Sequence, residues 1–199
     1  PSPGYDRHFS VCQYLGIEMI PIDMKADGPD MDTVENLVAE DDSIKGIWCV
    51  PKYSNPTGTI YSDSVVDRLA GMKAKADDFT IFWDNAYVVH HLGEKPAGLK
   101  NILTACKQAG HADRVLIFGS TSTISFASAG LAMMAGSKAS MDRVRKQISF
   151  QTIGPDKLNQ LRHVSFFKNM AGIEAHMQKH AAILKPKFDA VQIVLETEL

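Results

Sequence analysis

Cysteine is scarce in this chain: Cys12, Cys49 and Cys106 are the only three in 199 residues, far apart and set in apolar or helical stretches. An odd, scattered set excludes a disulfide framework or a zinc ribbon and leads us to expect reduced thiols in a cytoplasmic setting. No Cys-x-x-Cys pair is present, and no metal site is expected. A basic excess is missing as well. Lys plus Arg is 21 against Asp plus Glu at 23, a formal net charge of -2, which argues against nucleic-acid or membrane-surface binding. No apolar run approaches the roughly 20 residues needed to cross a bilayer. The first residues, Pro-Ser-Pro-Gly, lack the basic and apolar regions of a secretory signal. Internal repeats and low-complexity tracts are absent too. What remains is 45% hydrophobic and 22% charged, enough apolar material for one sizeable core.

Residues 1–4 read as the interior of a loop. The amphipathic pattern of residues 181–199 stops with its apolar stripe still running, with nothing to bury it against. Both ends lead us to expect a segment of a longer protein. Between them, short apolar runs alternate with helical patterns. Residues 17–22 read as a strand, with a polar turn at 27–29 and a short helix over 32–40. Residues 44–50 form a continuous apolar run, too short for a stable helix and right for a buried parallel strand. After a loop at 54–61, Ser62 or Asp63 can cap a helix running to about residue 77. Residues 79–83 are the next buried strand, 99–109 a helix closed by Gly110, and 115–118 and 131–134 two more strands. From residue 136 the pattern is helical, interrupted at 152–156. Strands separated by helices of this length indicate βαβ units: an α/β chain with a mostly parallel sheet covered on both faces.

Ligands gather at the carboxyl ends of such strands, so the residues after Val50, Trp83 and Phe118 carry the search for chemistry. The first strand is followed by Asn55-Pro56-Thr57-Gly58, the second by Asp84-Asn85-Ala86-Tyr87, the third by Gly119-Ser120-Thr121-Ser122. Each has an ordinary reading: a turn, a helix N-cap aspartate with a packed aromatic, and a polar turn. Together they place an amide, a carboxylate, a phenol and a hydroxyl cluster at three successive strand ends. That donor set suits a heteroaromatic ring bearing a phosphate.

This ordered set resembles the large domain of fold-type I pyridoxal-phosphate enzymes, the aspartate aminotransferase superfamily. The finer wording of residues 1–8, 50–58, 84–87 and 151–157 resembles the aspartate aminotransferases related to the aminotransferase-like domain of MocR regulators, and the likeness covers essentially the whole chain. The resemblance implies a three-layer αβα large domain over residues 1–168. Residues 169–199 would be a connecting helix toward a small domain. It implies pyridoxal 5'-phosphate as cofactor and a homodimer as the assembly. Asn55 and Tyr87 would hydrogen-bond the phenolic oxygen of the cofactor ring. Asp84 would pair with the ring nitrogen and keep it protonated. Ser120 and Ser122 would bind the phosphate.

One position departs from the pattern. The residue directly after the second serine is, in the family, the lysine that forms the Schiff base; here it is Thr123. Threonine has no amine, so the chain as written is expected to be inactive. Neither Lys52 nor Lys138 sits on this turn. Many relatives also carry an arginine where Leu131 stands, a difference that speaks of subfamily.

Several other residues invite a function and have a plainer reading. His90 and His91 are adjacent and point to different faces, so a shared metal is not expected. By the resemblance, residues 151–156 return to the mouth of the site; by composition they are a helix-to-helix connector, and both readings stay open. Arg162 and His163 lie on the following helix and face either the site or solvent. Met133 and Met134 read as core fill. The leading expectation is an aminotransferase acting on an aspartate-like amino acid and a 2-oxo acid. The alternatives are a non-catalytic effector-sensing domain, as in MocR-type regulators, and a lyase or decarboxylase on the same fold.

Overall fold

The computed structural model describes residues 1–93, 97–126 and 128–198. The chain forms two compact units interleaved in sequence. The first takes Pro1–Tyr87, Gly98–Ser120 and Ala132–Ile153; the second takes Val88–Ala97, Thr121–Leu131 and Gly154–Leu199.

The first unit carries, in chain order, α1 (Asp6–Tyr14), β1 (Met24–Lys25), β2 (Gly28–Pro29), α2 (Met31–Glu40), β3 (Gly46–Cys49), α3 (Asp63–Gly71), β4 (Thr80–Asp84), α4 (Ile102–Gln108), β5 (Val115–Ser120), β6 (Ala132–Ala135) and α5 (Lys138–Gln151). Its sheet runs β3-β4-β5-β6. The first three strands are parallel and β6 is antiparallel to β5. Register puts Ile47 beside Ile81 and Ile81 beside Val115, one apolar row facing the helices. Side chains alternate across a strand, so β4 sends Ile81 and Trp83 into the core and Phe82 to the other face. There Trp48, Phe82 and Phe118 stack with centroids 5.5–6.2 Å apart and nearly parallel planes.

Local chemistry sets the helices. Asp30 caps α2 by accepting the Asp32 N–H, and the turn-spaced Met31, Val34 and Val38 bury one face. Ser62 caps α3, accepting the Val65 N–H at 3.2 Å. Val66 and Leu69 then join Ile81, Trp83, Ile102 and Cys106 in one continuous core. Each such side chain contributes about 1.5–3 kcal/mol over its exposed state.

Several elements differ from the sequence expectation. Residues 17–22 are not a strand: Pro21 has no N–H for a ladder, and Ile17 and Ile20 are exposed. Pairing begins only at the end of the stretch, where the Ser2 N–H donates to the Ile22 carbonyl at 2.6 Å. Helix α3 stops at Gly71 rather than near 77. Met72 turns to an extended ψ of 147°, and Arg114 Nη1 takes the Ala70 and Met72 carbonyls at 3.3 and 2.7 Å. Met133 and Met134 are not core in this chain: they are 54% and 37% exposed, and among the described residues β6 pairs with β5 alone. Helix α1 had no counterpart in the apolar pattern, since its one buried residue is Cys12.

The second unit holds α6 (Lys157–Phe167) and α7 (Met170–Glu198), the latter with Pro186 inside it. The helix expected over 181–199 therefore begins earlier. Asp156 caps α6 by accepting the Asn159 N–H at 3.0 Å. In the first turn of α7, a Cβ on Gly172 would lie 1.8 Å from the Phe167 carbonyl oxygen at the end of α6, so only glycine fits there. Ile124, Phe167 and Met177 form a small apolar cluster, flanked by Val89 and Ile173. Among the described residues no helix is long and apolar enough to cross a membrane.

Candidate functional site

In the first unit the carboxyl ends of β3, β4 and β5 carry the residues singled out above. Asp84 is the last residue of β4 and pairs in register with Phe118 of β5. The Asn85 N–H extends that ladder by donating to the Phe118 carbonyl at 2.9 Å. Ending the strand here leaves the Asp84 side chain on the Phe82 face. Its Oδ2 lies 3.0 Å from Nε2 of His8 on α1, the two side chains 23% and 13% exposed. His8 is itself held by rings. It stacks on Trp48 at 4.2 Å and meets the edge of Tyr5 at 5.6 Å. A half-buried carboxylate thus has a donor whose orientation is fixed by packing.

Asn55 sits in a turn tied back onto itself. The Ser54 N–H donates to Thr59, the Gly58 N–H to Ser54 and the Tyr61 N–H to Pro51, at 3.0, 2.6 and 2.8 Å. Gly58 has a φ of 70°, the left-handed region that favours glycine. Asn55, His8 and Trp48 line one cavity of about 30 Å³, together with Pro1, Ser54 and Tyr61. The structure therefore brings Asn55 and His8, the hydrogen-bond partner of Asp84, to one cavity. Tyr87 follows in the turn after β4 and is half-buried. Ser120 ends β5, beside Ala132 of β6.

Ser122 and Thr123 belong to the second unit, on its segment Thr121–Leu131, and both are exposed. The Thr123 carbonyl lies 3.4 Å from His90 Nε2. Thr121, between the two serines, is buried and bonded to His163 of α6 at 3.0 Å. This settles the open reading of that helix: His163 is buried and Arg162 exposed.

Two features were missed from the sequence. His8 had a signal in the Tyr5-Asp6-Arg7-His8 wording, but its partner lies 76 residues away and depends on α1 forming. His176 and His180 stand one helical turn apart on α7 with ring centroids 4.4 Å apart. Their spacing suits a metal, yet among the described residues no group of three or more ligating side chains gathers. Lys52, the lysine nearest Asn55, is buried over the Tyr53 ring at 5.5 Å; burial lowers its pKa from the usual lysine value.

A model of the aspartate aminotransferase family matches residues 1–199. This chain belongs to the aspartate aminotransferase family. An aspartate aminotransferase of Corynebacterium glutamicum is 43% identical over 199 residues, which are all of this chain and 46% of that protein. A Mycolicibacterium smegmatis relative is 46% identical over the same length. The chain spans about half the length of the curated relatives it matches. The crystal structure of an aspartate transaminase from Corynebacterium glutamicum superposes with a TM-score of 0.97, over 100% of this chain and 47% of that one. The α/β arrangement is the large-domain fold of fold-type I aminotransferases. It extends to distant members: an α-aminoadipate aminotransferase from Thermus thermophilus, complexed with N-(5'-phosphopyridoxyl)-L-leucine, has a TM-score of 0.80 at 19% identity.

Proposed function

We propose that the protein containing this chain is an aminotransferase of the aspartate type, moving an amino group between an aspartate-like amino acid and a 2-oxo acid. Pyridoxal 5'-phosphate is the cofactor, and the donor set fits it. When bound, it supplies an electron sink for the charge released at the substrate Cα. The observation that carries the reading is the His8–Asp84 pair at the end of β4, whose His8 lines one cavity with Asn55. A carboxylate held there keeps a proton on the ring nitrogen. His8 orients Asp84 by its Nε2 contact, and the stacked Trp48 keeps His8 in place. Asn55 and Tyr87 take the phenolic oxygen, while Ser120 and Ser122 supply hydroxyls to the phosphate. The assembly is a homodimer working in the cytoplasm, on the family resemblance.

Thr123 stands where the resemblance calls for the covalent lysine. The chain as written can hold the ring and phosphate but has no amine on this turn to attach the cofactor or carry the Cα proton. Loss of such a group costs on the order of 10⁶ in rate for a comparable catalytic unit. The test is to load full-length protein with pyridoxal phosphate, reduce with borohydride and map the modified residue by mass spectrometry. A phosphopyridoxyl adduct with transamination is expected only after Thr123→Lys, at that position. An adduct on another lysine of the unmodified protein, with transamination, overturns the claim.

A further inference from the structure

The segment Thr121–Leu131 doubles back on itself. Thr121 gives its N–H to the Leu131 carbonyl at 2.9 Å, and its Oγ1 accepts the Leu131 N–H at 2.8 Å. A Cβ on Gly130 would come within 2.7 Å of the Ser122 Cα and 2.8 Å of its nitrogen. Glycine alone permits that approach, so the position of Ser122 follows from how the loop closes.

Helix α6 holds this closure through side chains of the same unit. His163 Nδ1 lies 2.9 Å from the Asn159 carbonyl oxygen. A carbonyl can only accept, so Nδ1 carries the proton, and in the neutral ring Nε2 is left as an acceptor. Nε2 lies 2.7 Å from Ser125 Oγ and 3.0 Å from Thr121 Oγ1. Ser125 Oγ can instead donate to the Thr121 carbonyl at 3.0 Å, which leaves the Thr121 hydroxyl free to donate to the ring. One turn earlier, Asn159 Nδ2 donates to the Ala129 carbonyl at 2.9 Å. From α7, His176 Nε2 donates to the Ile124 carbonyl at 2.8 Å. Thr121, Asn159 and His163 are all buried, where an unmade hydrogen bond is costly.

We infer that His163 is a positioning residue: by fixing Thr121 and Ser125 it closes the loop that presents Ser122 to an anionic group. This rests on the reading of Ser122 as a phosphate ligand. The geometry separates two contributions that a general structural role would not. With threonine at position 123 the loop's proposed contact with the cofactor is Ser122 on the phosphate, so its loosening should weaken a phosphorylated ligand and spare the same ring without phosphate.

The experiment uses the full-length protein and three variants. His163→Phe keeps ring volume without polar atoms, Thr121→Val removes the hydroxyl at constant shape, and His163→Gln restores a polar atom near the Nε2 position. Two quantities are read: the affinities for pyridoxal 5'-phosphate and pyridoxal, and amide hydrogen exchange at Leu131. The Phe and Val variants should each bind pyridoxal phosphate about tenfold more weakly, with pyridoxal unchanged. Leu131 should exchange faster in both, and Gln should recover part of each loss. Equal weakening of the two ligands, or none, overturns the anion-presenting role. Unchanged Leu131 exchange in both variants overturns the clamp. If unmodified protein binds neither ligand, the cofactor reading fails and the anion-presenting role falls with it; the clamp is still decided by Leu131 exchange.

Discussion

The two units are held together by different physics. In the first, the Ile47–Ile81–Val115 row and the apolar faces of α2, α3 and α4 form one continuous core. In the second, Ile124, Phe167 and Met177 are the buried apolar cluster, and comparably buried Thr121, Asn159 and His163 are joined by hydrogen bonds. Apolar burial is non-directional and tolerates exchange of similar side chains. A buried polar network is directional, and each lost partner strands another group. The rigid carboxylate end of β4 is thus supported by packing, and the Ser122–Thr123 loop by matched donors and acceptors.

Truncation should separate the two most strongly. Trp83→Ala empties a fully packed site under the sheet and should cost about 3–5 kcal/mol in urea unfolding. Phe167→Ala acts on the smaller cluster and should fall at or below the lower end of that range. A Phe167 loss larger than that of Trp83 would break the contrast. The thiols give a finer probe of how dry the first core is. Burial raises Cys49 to about 12 and Cys106 to about 11, above the ordinary thiol value of 9.0. Folded protein keeps these protons longer than unfolded chain. Their contribution to stability is therefore fully present below pH 9 and is lost as pH rises toward the folded values. Native protein at pH 8.5 should leave both thiols unmodified by iodoacetamide, and the urea midpoint should fall between pH 9 and 11. Alkylation of Cys49 as fast as in unfolded chain would contradict a dry core.

Legibility from sequence follows the same division. The runs behind β3, β4 and β5 and the Ser62 cap could be read, because burial and capping act through local spacing. The α2 expectation, 32–40, missed one residue. Residues 17–22 misled, since an apolar run says nothing about whether a neighbouring strand exists, and Pro21 cannot donate. Met133 and Met134 misled because, among the described residues, β6 pairs with β5 alone. Asp84, Asn55, Tyr87, Ser120 and Ser122 stood out as chemistry at strand ends. Their supports, His8 and His163, did not, because each acts through a partner 76 or 42 residues away, a relation that no periodicity encodes.

The most direct measurement is the effect of Asp84→Ala in the full-length Thr123→Lys protein, reading turnover and pyridoxal phosphate affinity side by side. If Asp84 holds the proton on the ring nitrogen, turnover falls by on the order of a hundredfold or more. Affinity changes far less if Asn55, Tyr87 and the two serines hold the rest of the cofactor as proposed. Equal turnover in variant and parent would contradict the assignment of Asp84, and with it the reading of the β4 end as the chemical centre.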